Sequence, residues 1–405
     1  MSFENSDKYP IGDISVWRSG GTPLKAQKDN WDGDISWISA KTLKTGKIRD
    51  SETKITQKGL EIGSKLASVD NILLLVRGSG LFKDISIGIV EKPVAFNQDV
   101  KAIEVNFQIV TPSFFYYWLL ANKPMLSNML EHTGIGAGKL DIDVMKKLEI
   151  EIPSIQEQKS VTQTLSSIDD KIELNNRINK TLEEMAQTIL KSWFVDFEPF
   201  QEGEFEDSEF GRIPKGWRVG TLGDIAYITM GQSPSGSSYN GNNDGIVFYQ
   251  GRTDFGKRYP TIRLYTTEPK RMAAKGDILL CVRAPVGDIN VASENCCIGR
   301  GLATLKSNNN CNSFLLYQLL NLKDSFNIYN GEGTVFGSIN KDTLKNMRVL
   351  IPTDKNIQGF QDTVGKLDEI FENNSIQIKI LTTIRDSLLP KLMSGEIRVP
   401  IEEVQ

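Results

Sequence analysis

Histidine is almost absent from this sequence. A single one, His132, stands among 405 residues, so metal sites built on His pairs are excluded, the zinc-protease helix and the two-Cys, two-His finger among them. A Ser-His-Asp enzyme would have to rest on that one residue. Cysteine is scarce as well: Cys281, Cys296, Cys297 and Cys311 all fall in the second half, and none shows the two-residue spacing of a metal-binding pair. They read as reduced thiols of a cytosolic protein, with Cys296-Cys297 as packing residues. No Pro-Pro dipeptide occurs, which removes the Asn- or Asp-Pro-Pro-aromatic motif of an adenine methyltransferase. No apolar run approaches the ~20 residues of a membrane span. The opening Met1-Ser2-Phe3-Glu4-Asn5-Ser6-Asp7 is polar and acidic, unlike a signal peptide. The expectation is a soluble, cytoplasmic protein without a membrane partner.

What is present is length, and a duplication within it. At roughly 150 residues per domain, the chain has room for two or three domains. Gly12-Asp13-Ile14 recurs as Gly223-Asp224-Ile225, and Lys41-Thr42 as Arg252-Thr253, both at an offset of 211. The apolar run Ile72 to Val76, followed by Arg77, resembles Ile278 to Val282, followed by Arg283, at 206. Phe114, Tyr117, Leu119 and Leu120 match Phe314, Tyr317, Leu319 and Leu320 at 200, and Gly134–Pro153 matches Gly333–Pro352 without a gap at 199. Loops tolerate insertions better than helical seams do, so each repeat reads as a variable head and a tail of fixed length. Solenoid units are far shorter than this period.

The tails carry a heptad ladder. Leu165, Ile168, Ile172, Asn175, Asn179, Leu182, Ala186, Ile189 and Trp193 alternate by three and four, and Leu367, Phe371, Asn374, Ile378, Leu381 and Arg385 repeat the pattern. Such a ladder is a coiled-coil seam. Ser154 with Glu157, and Thr353 in the second copy, supply helix caps; Pro390 is expected to bend or end the second helix. About 36 residues make a rod of about 54 Å. Two such rods bury their seams most simply against each other, antiparallel, which would bring Asn175 near Asn374. The heads read as mixed α/β, with apolar strands at 72–76 and 278–282 and one amphipathic helix each, about 113–131 and 312–325. Residues 201–210 hold five acids and no base and read as a solvated linker.

Charge is polarised along this plan. The overall net charge of -4 argues at first against nucleic acid, yet residues 1–150 sum to +1 and 211–350 to +7. The acidic excess lies in the tails and the linker. A phosphate backbone responds to local charge.

Catalytic motifs fail on inspection. Gly134-Ile135-Gly136-Ala137-Gly138-Lys139 lacks the Ser or Thr and the spacing of a P-loop and follows a helix; it reads as a Gly-rich loop suited to approach a backbone. An acid at Asp141 or Asp143 with Glu157-Gln158-Lys159 superficially fits a nuclease, but Glu157 is explained by the cap and the repeat has Asn356-Ile357-Gln358. What remains are polar and basic residues at tight turns: Arg18, Thr22, Lys41, Arg77 and Lys139 in the first head, and Gln232, Ser233, Arg252, Arg283 and Arg300 in the second. Arg and Gln can read guanine and adenine edges, while Ser, Thr and Lys hold phosphates.

Together, Gly20-Gly21-Thr22-Pro23, Ile152-Pro153-Ser154-Ile155-Gln156-Glu157-Gln158, Ile168-Asp169-Asp170-Lys171-Ile172-Glu173-Leu174-Asn175-Asn176 and Leu388-Leu389-Pro390-Lys391-Leu392-Met393-Ser394-Gly395-Glu396-Ile397 resemble the specificity subunit of Type I restriction-modification systems. The second copy departs from the pattern at Gln232-Ser233-Pro234 and Asn356-Ile357-Gln358. The resemblance implies an α+β fold: a duplicated target recognition domain, each copy followed by a long helix, the two helices forming an antiparallel coiled coil. The corresponding segments are 1–152, 153–197, an acidic linker 198–212, 213–350, 351–395 and a tail 396–405. It implies an asymmetric, split double-stranded DNA site and no catalysis by this chain. It also implies two modification (methyltransferase) subunits and restriction (helicase-nuclease) subunits as partners, which would carry S-adenosylmethionine, ATP and Mg. Half-sites one helical turn apart, ~34 Å, fit the rod length. A self-contained methyltransferase or nuclease, or a coiled-coil scaffold for proteins, are the alternative readings.

Overall fold

The computed structural model describes Phe3 and residues 6–132, 136–330 and 337–400. It divides into two compact units, Met1–Leu174 with Gln377–Gln405, and Asn175–Ile376. The division falls in the middle of both long helices, Ile155–Phe194 and Asp354–Met393. Each unit therefore holds one head, the first half of that head's own helix and the second half of the other.

Both units bury these helix halves in the same way. In the first, Val161 and Leu165 share a core with Leu389, Leu392 and Met393; in the second, Phe360 and Val364 share one with Ala186, Leu190 and Phe194. The paired halves run antiparallel. Arg385 Nη1 bonds Asp169 at 2.9 Å in the first unit, and Asn179 bonds the Phe371 carbonyl at 3.3 Å in the second.

The seam departs from the sequence reading in register. Leu165, Asn175, Leu182 and Phe371 are buried, while Ile168, Ile172, Leu367, Asn374, Ile378 and Leu381 are half-buried. At its C-terminal end the first helix buries Leu190 and Phe194, one place beyond Ile189 and Trp193. An unstrained helix drifts from a 3.5-residue repeat, and near the ends the partner is a head as well as a helix. The drift also decides the polar pair: Asn374 Nδ2 donates to Asn179 Oδ1 at 3.0 Å, one turn beyond the expected Asn175.

Helix starts follow the expected caps, with Ser154 Oγ accepting from the Glu157 amide at 3.2 Å and Thr353 Oγ1 from the Asn356 amide at 3.4 Å. Pro390 does not end the second helix, which continues to Met393. Its end comes at Gly395, where φ is +72° and the Ile397 amide reaches back to the Lys391 carbonyl at 3.1 Å. Glycine in that conformation closes a helix without a Cβ penalty.

The two heads repeat one sheet architecture. In the first, a five-stranded sheet has the order 15–19, 100–105, 72–75, 87–90, 46–48, and a four-stranded sheet the order 54–55, 31–38, 94–96, 65–67. In the second, the matching sheets run 226–230, 302–307, 278–281, 289–291, and 239–240, 264–266, 246–249, 296–298, 272–273. All four residues of Ile72–Leu75 and of Ile278–Cys281 are buried, which is why these strands read as unbroken apolar runs. The single amphipathic helix expected per head is two short ones, Pro112–Ala121 and Lys123–Asn128, then Asn312–Asn321 and Lys323–Asn327. Pro124, lacking an N–H, breaks the first pair. The longer helix is buried around its circumference, Phe114 to Leu119 without interruption. The acidic segment after the first helix is no open linker. Phe205–Ser208 pairs antiparallel with Gly211–Pro214, and the Trp217 ring packs at 5.0 Å from Phe200, while most of the acids stay exposed. Among the described residues no helix is long and apolar enough to cross a membrane.

Candidate nucleic-acid interface

In each head several strands end together, and five backbone hydrogen bonds tie their ends into a rim. In the first head, Gly21 N donates to Phe96 O at 2.9 Å, Asn97 N to Ile38 O at 2.9 Å, Val76 N to Asp99 O at 2.9 Å, Val100 N to Asn97 O at 3.4 Å and Leu140 N to Val76 O at 2.9 Å. The second head repeats all five: Gln232 N to Ile298 O at 3.0 Å, Gly299 N to Tyr249 O at 2.8 Å, Val282 N to Gly301 O at 3.0 Å, Leu302 N to Gly299 O at 2.9 Å and Ile339 N to Val282 O at 3.0 Å. Gly20 and Gly231 lie where a Cβ would collide with the Phe96 and Gly299 carbonyls respectively. That close approach explains the glycine at the start of both turns.

The rim gathers most of the residues singled out in the sequence. Arg77 is exposed on the two-residue strand Arg77–Gly78, which pairs with Gly138–Lys139. Its counterpart Arg283 is exposed and bridges Ser338. Lys41 and Arg300 are exposed, and with Arg77 and Arg283 they carry no ion pair among the described residues. Lys41 borders a cleft shared with Lys44, Lys47 and Lys54. Thr22 Oγ1 donates to Gln98 Oε1 at 2.7 Å, and Ser233 Oγ accepts from the Arg300 amide at 3.2 Å. Lys139 stands 3.6 Å from Glu131 and 3.9 Å from Asp141. Gln232 is exposed with its amide committed to the rim.

Two candidates are placed otherwise. Arg18 bonds Glu104 and, at 3.4 Å, Asn71. That is the end of strand Ile72–Leu75 opposite Arg77, so Arg18 points away from the rim. Arg252 is bound to Asp288, a partner that neutralises it. In the Gly-rich loop Gly134 and Ile135 lie outside the described residues, as does most of its counterpart in the second repeat, Gly331–Ser338; Gly136 has φ +75°. One rim residue escaped the sequence reading: Gln98, exposed between Asn97 and Asp99. Carrying the repeat comparison through at an offset of 202 would have set it opposite Arg300.

The remaining chemistry-bearing groups serve packing. Gln158 is fully buried, its Nε2 donating to Ile109 O at 3.0 Å and its Oε1 accepting from Thr111 N at 2.8 Å. All four cysteines are free and buried. Burial pushes the Cys281 and Cys296 thiols up to about 12, so both stay protonated and inert at neutral pH. Among the described residues no three His, Cys, Asp or Glu side chains gather as a metal cage requires.

Known proteins agree on the origin of this arrangement. The family described as the Type I restriction modification DNA specificity domain matches the chain twice, at residues 4–184 and 214–380. The putative type I restriction enzyme MjaX specificity subunit of Methanocaldococcus jannaschii is 30% identical, over 98% of this chain and 97% of its own length. The MjaIX specificity subunit of the same organism is also 30% identical, over 97% of this chain and 94% of its own. A crystal structure of the Type-I restriction-modification system S subunit from M. genitalium has the same fold, with a TM-score of 0.62 at 18% identity and 96% of each chain covered. A double match over most of the chain, joined to full-length relatives, places this chain in the Type I restriction-modification specificity family, where its part is sequence-specific DNA recognition and not catalysis.

Proposed function

We propose that each head reads one half of an asymmetric, bipartite double-stranded DNA site through its rim. The observation that carries this reading is the recurrence of one hydrogen-bonded rim in both heads with different exposed side chains on it. A common scaffold with altered side chains suits two related but unequal half-sites. The exposed Arg77 and Arg283 supply cations that a phosphate backbone attracts. The two half-sites flank a stretch read by neither head, and two modification subunits dock on the chain. Those subunits bring S-adenosylmethionine, and restriction subunits bring ATP and Mg.

The test is selection from randomised duplex DNA by the full chain assembled with its modification subunit. Two short fixed segments flanking a gap of free sequence are expected. Indifference to DNA sequence overturns the reading, and salt-independent DNA binding, or none, would favour a protein scaffold. Exchange of residues 211–350 for a homologous segment should alter one half-site and leave the other intact.

A further inference from the structure

We infer that Gln98 and Arg300 are equivalent base-reading positions, Gln98 selecting adenine in one half-site and Arg300 selecting guanine in the other; the inference rests on the proposed reading of DNA by the two rims. The equivalence is geometric. Strand Val94–Phe96 pairs parallel with 31–38, Phe96 opposite Ile38, and strand Cys296–Ile298 pairs parallel with Ile246–Tyr249, Ile298 opposite Tyr249. After three intervening residues Val100 and Leu302 start the next strands, opposite Leu75 and, in the second head, Cys281. Between them Asn97-Gln98-Asp99 and Gly299-Arg300-Gly301 are held by matching backbone bonds on both sides.

The central residue of each triplet is exposed. In each head the hydroxyl of the facing turn supports it: Thr22 bonds the Gln98 side chain, and Ser233 bonds the Arg300 backbone. With Thr22 donating to Oε1, the Gln98 amide plane is held and its Nε2 has no partner among the described residues. A carboxamide so presented has the donor and acceptor that adenine N7 and N6 require. The Arg300 guanidinium, free of any carboxylate among the described residues, has the paired donors that match guanine O6 and N7. Arg77 and Arg283 are the same residue in both heads and serve what the half-sites share, the phosphates. Gln98 and Arg300 differ, and so serve what the half-sites do not share.

The experiment compares wild type, Gln98→Arg and Arg300→Gln, each as the full chain with its modification subunit, in selection from randomised duplexes. Gln98→Arg should turn one A·T pair of one half-site into a G·C preference, and Arg300→Gln should do the reverse in the other half. Discrimination at the affected pair should change roughly 10- to 100-fold. An unchanged site, or an equal loss on every sequence, overturns the inference. If either exchange prevents assembly, Gln98→Ala and Arg300→Ala take its place: relaxation at one base pair supports the assignment, and unaltered discrimination refutes it. Loss of all sequence preference by the wild-type complex is a separate outcome and refutes the proposed function instead.

Discussion

The two units anchor head to helix with the same tyrosine and the same carboxylate but with different arginines. In the first, Tyr117 donates to Asp169 Oδ2 at 2.9 Å, and the cation is Arg385, from the second long helix. In the second, Tyr317 donates to Asp368 Oδ1 at 2.9 Å, and the cation is Arg258, from a loop of the head itself. Arg258 also bonds Glu183 at 2.9 Å and lies 4.2 Å over the Phe371 ring. The first head also reaches its helix through surface pairs, Lys47 with Asp170 at 2.5 Å and Arg49 with Glu173, where the second has Lys275 with Glu372 at 2.7 Å. The acceptor holds the same place in both copies, while the cation comes from a different element in each. What the fold preserves is a half-buried carboxylate that keeps a tyrosine and a cation, whichever segment supplies the charge.

The comparison breaks most visibly at Arg258. Its side chain is 5% exposed against 27% for Arg385. Arg258→Ala removes a buried guanidinium that serves Asp368, Glu183 and the Tyr317 hydroxyl at once and should cost about 3 kcal/mol. Arg385→Ala, which removes a guanidinium already in part hydrated, should cost about 1 kcal/mol. Denaturant unfolding of the full chain measures both, and equal losses would show that the two anchors are energetically the same.

Tyrosine-to-phenylalanine changes sharpen the point. Tyr317 bridges two charged partners and Tyr117 one. Tyr317→Phe should cost about 2.5 kcal/mol and Tyr117→Phe about 1.5 kcal/mol, following the usual worth of hydrogen bonds to charged groups. A larger loss at Tyr117 would reverse the ranking. The surface pairs come next: Lys47→Ala with Arg49→Ala should lower stability by at most about 1 kcal/mol, and the difference should fade at high salt. A salt-independent deficit would assign them a buried role.

Much of this plan was legible before the structure. Fixed-length tails, Ser154 and Thr353 at helix starts, and the apolar strands ending at Arg77 and Arg283 follow from local patterns that leave a mark in the chain. Misses arose where distance in sequence hides a partner. Arg18 and Arg77 look alike as letters, and only strand pairing shows that Glu104 occupies the first. The polar pair forms at Asn179, one turn from the expected Asn175, because a heptad ladder does not record how far two helices drift before a head covers them. Gln98 escaped because its meaning comes from Arg300, two hundred residues away, and an amide between Asn and Asp has no signature of its own.

The smallest effect tests what the two rims share. Arg77 and Arg283 are exposed at equivalent strand ends and carry no ion pair among the described residues. If both bind phosphate, Arg77→Ala and Arg283→Ala weaken the assembled complex by the same few-fold factor on all sequences, and each lowers the slope of log affinity against log salt by about 1. The double variant should lower it by about 2, because the contacts lie in separate heads and add. Binding measured across a salt series on the selected site and on random duplex decides the matter. A loss confined to the selected site at either position would make that arginine a base reader, and the two rims would then differ at more than Gln98 and Arg300.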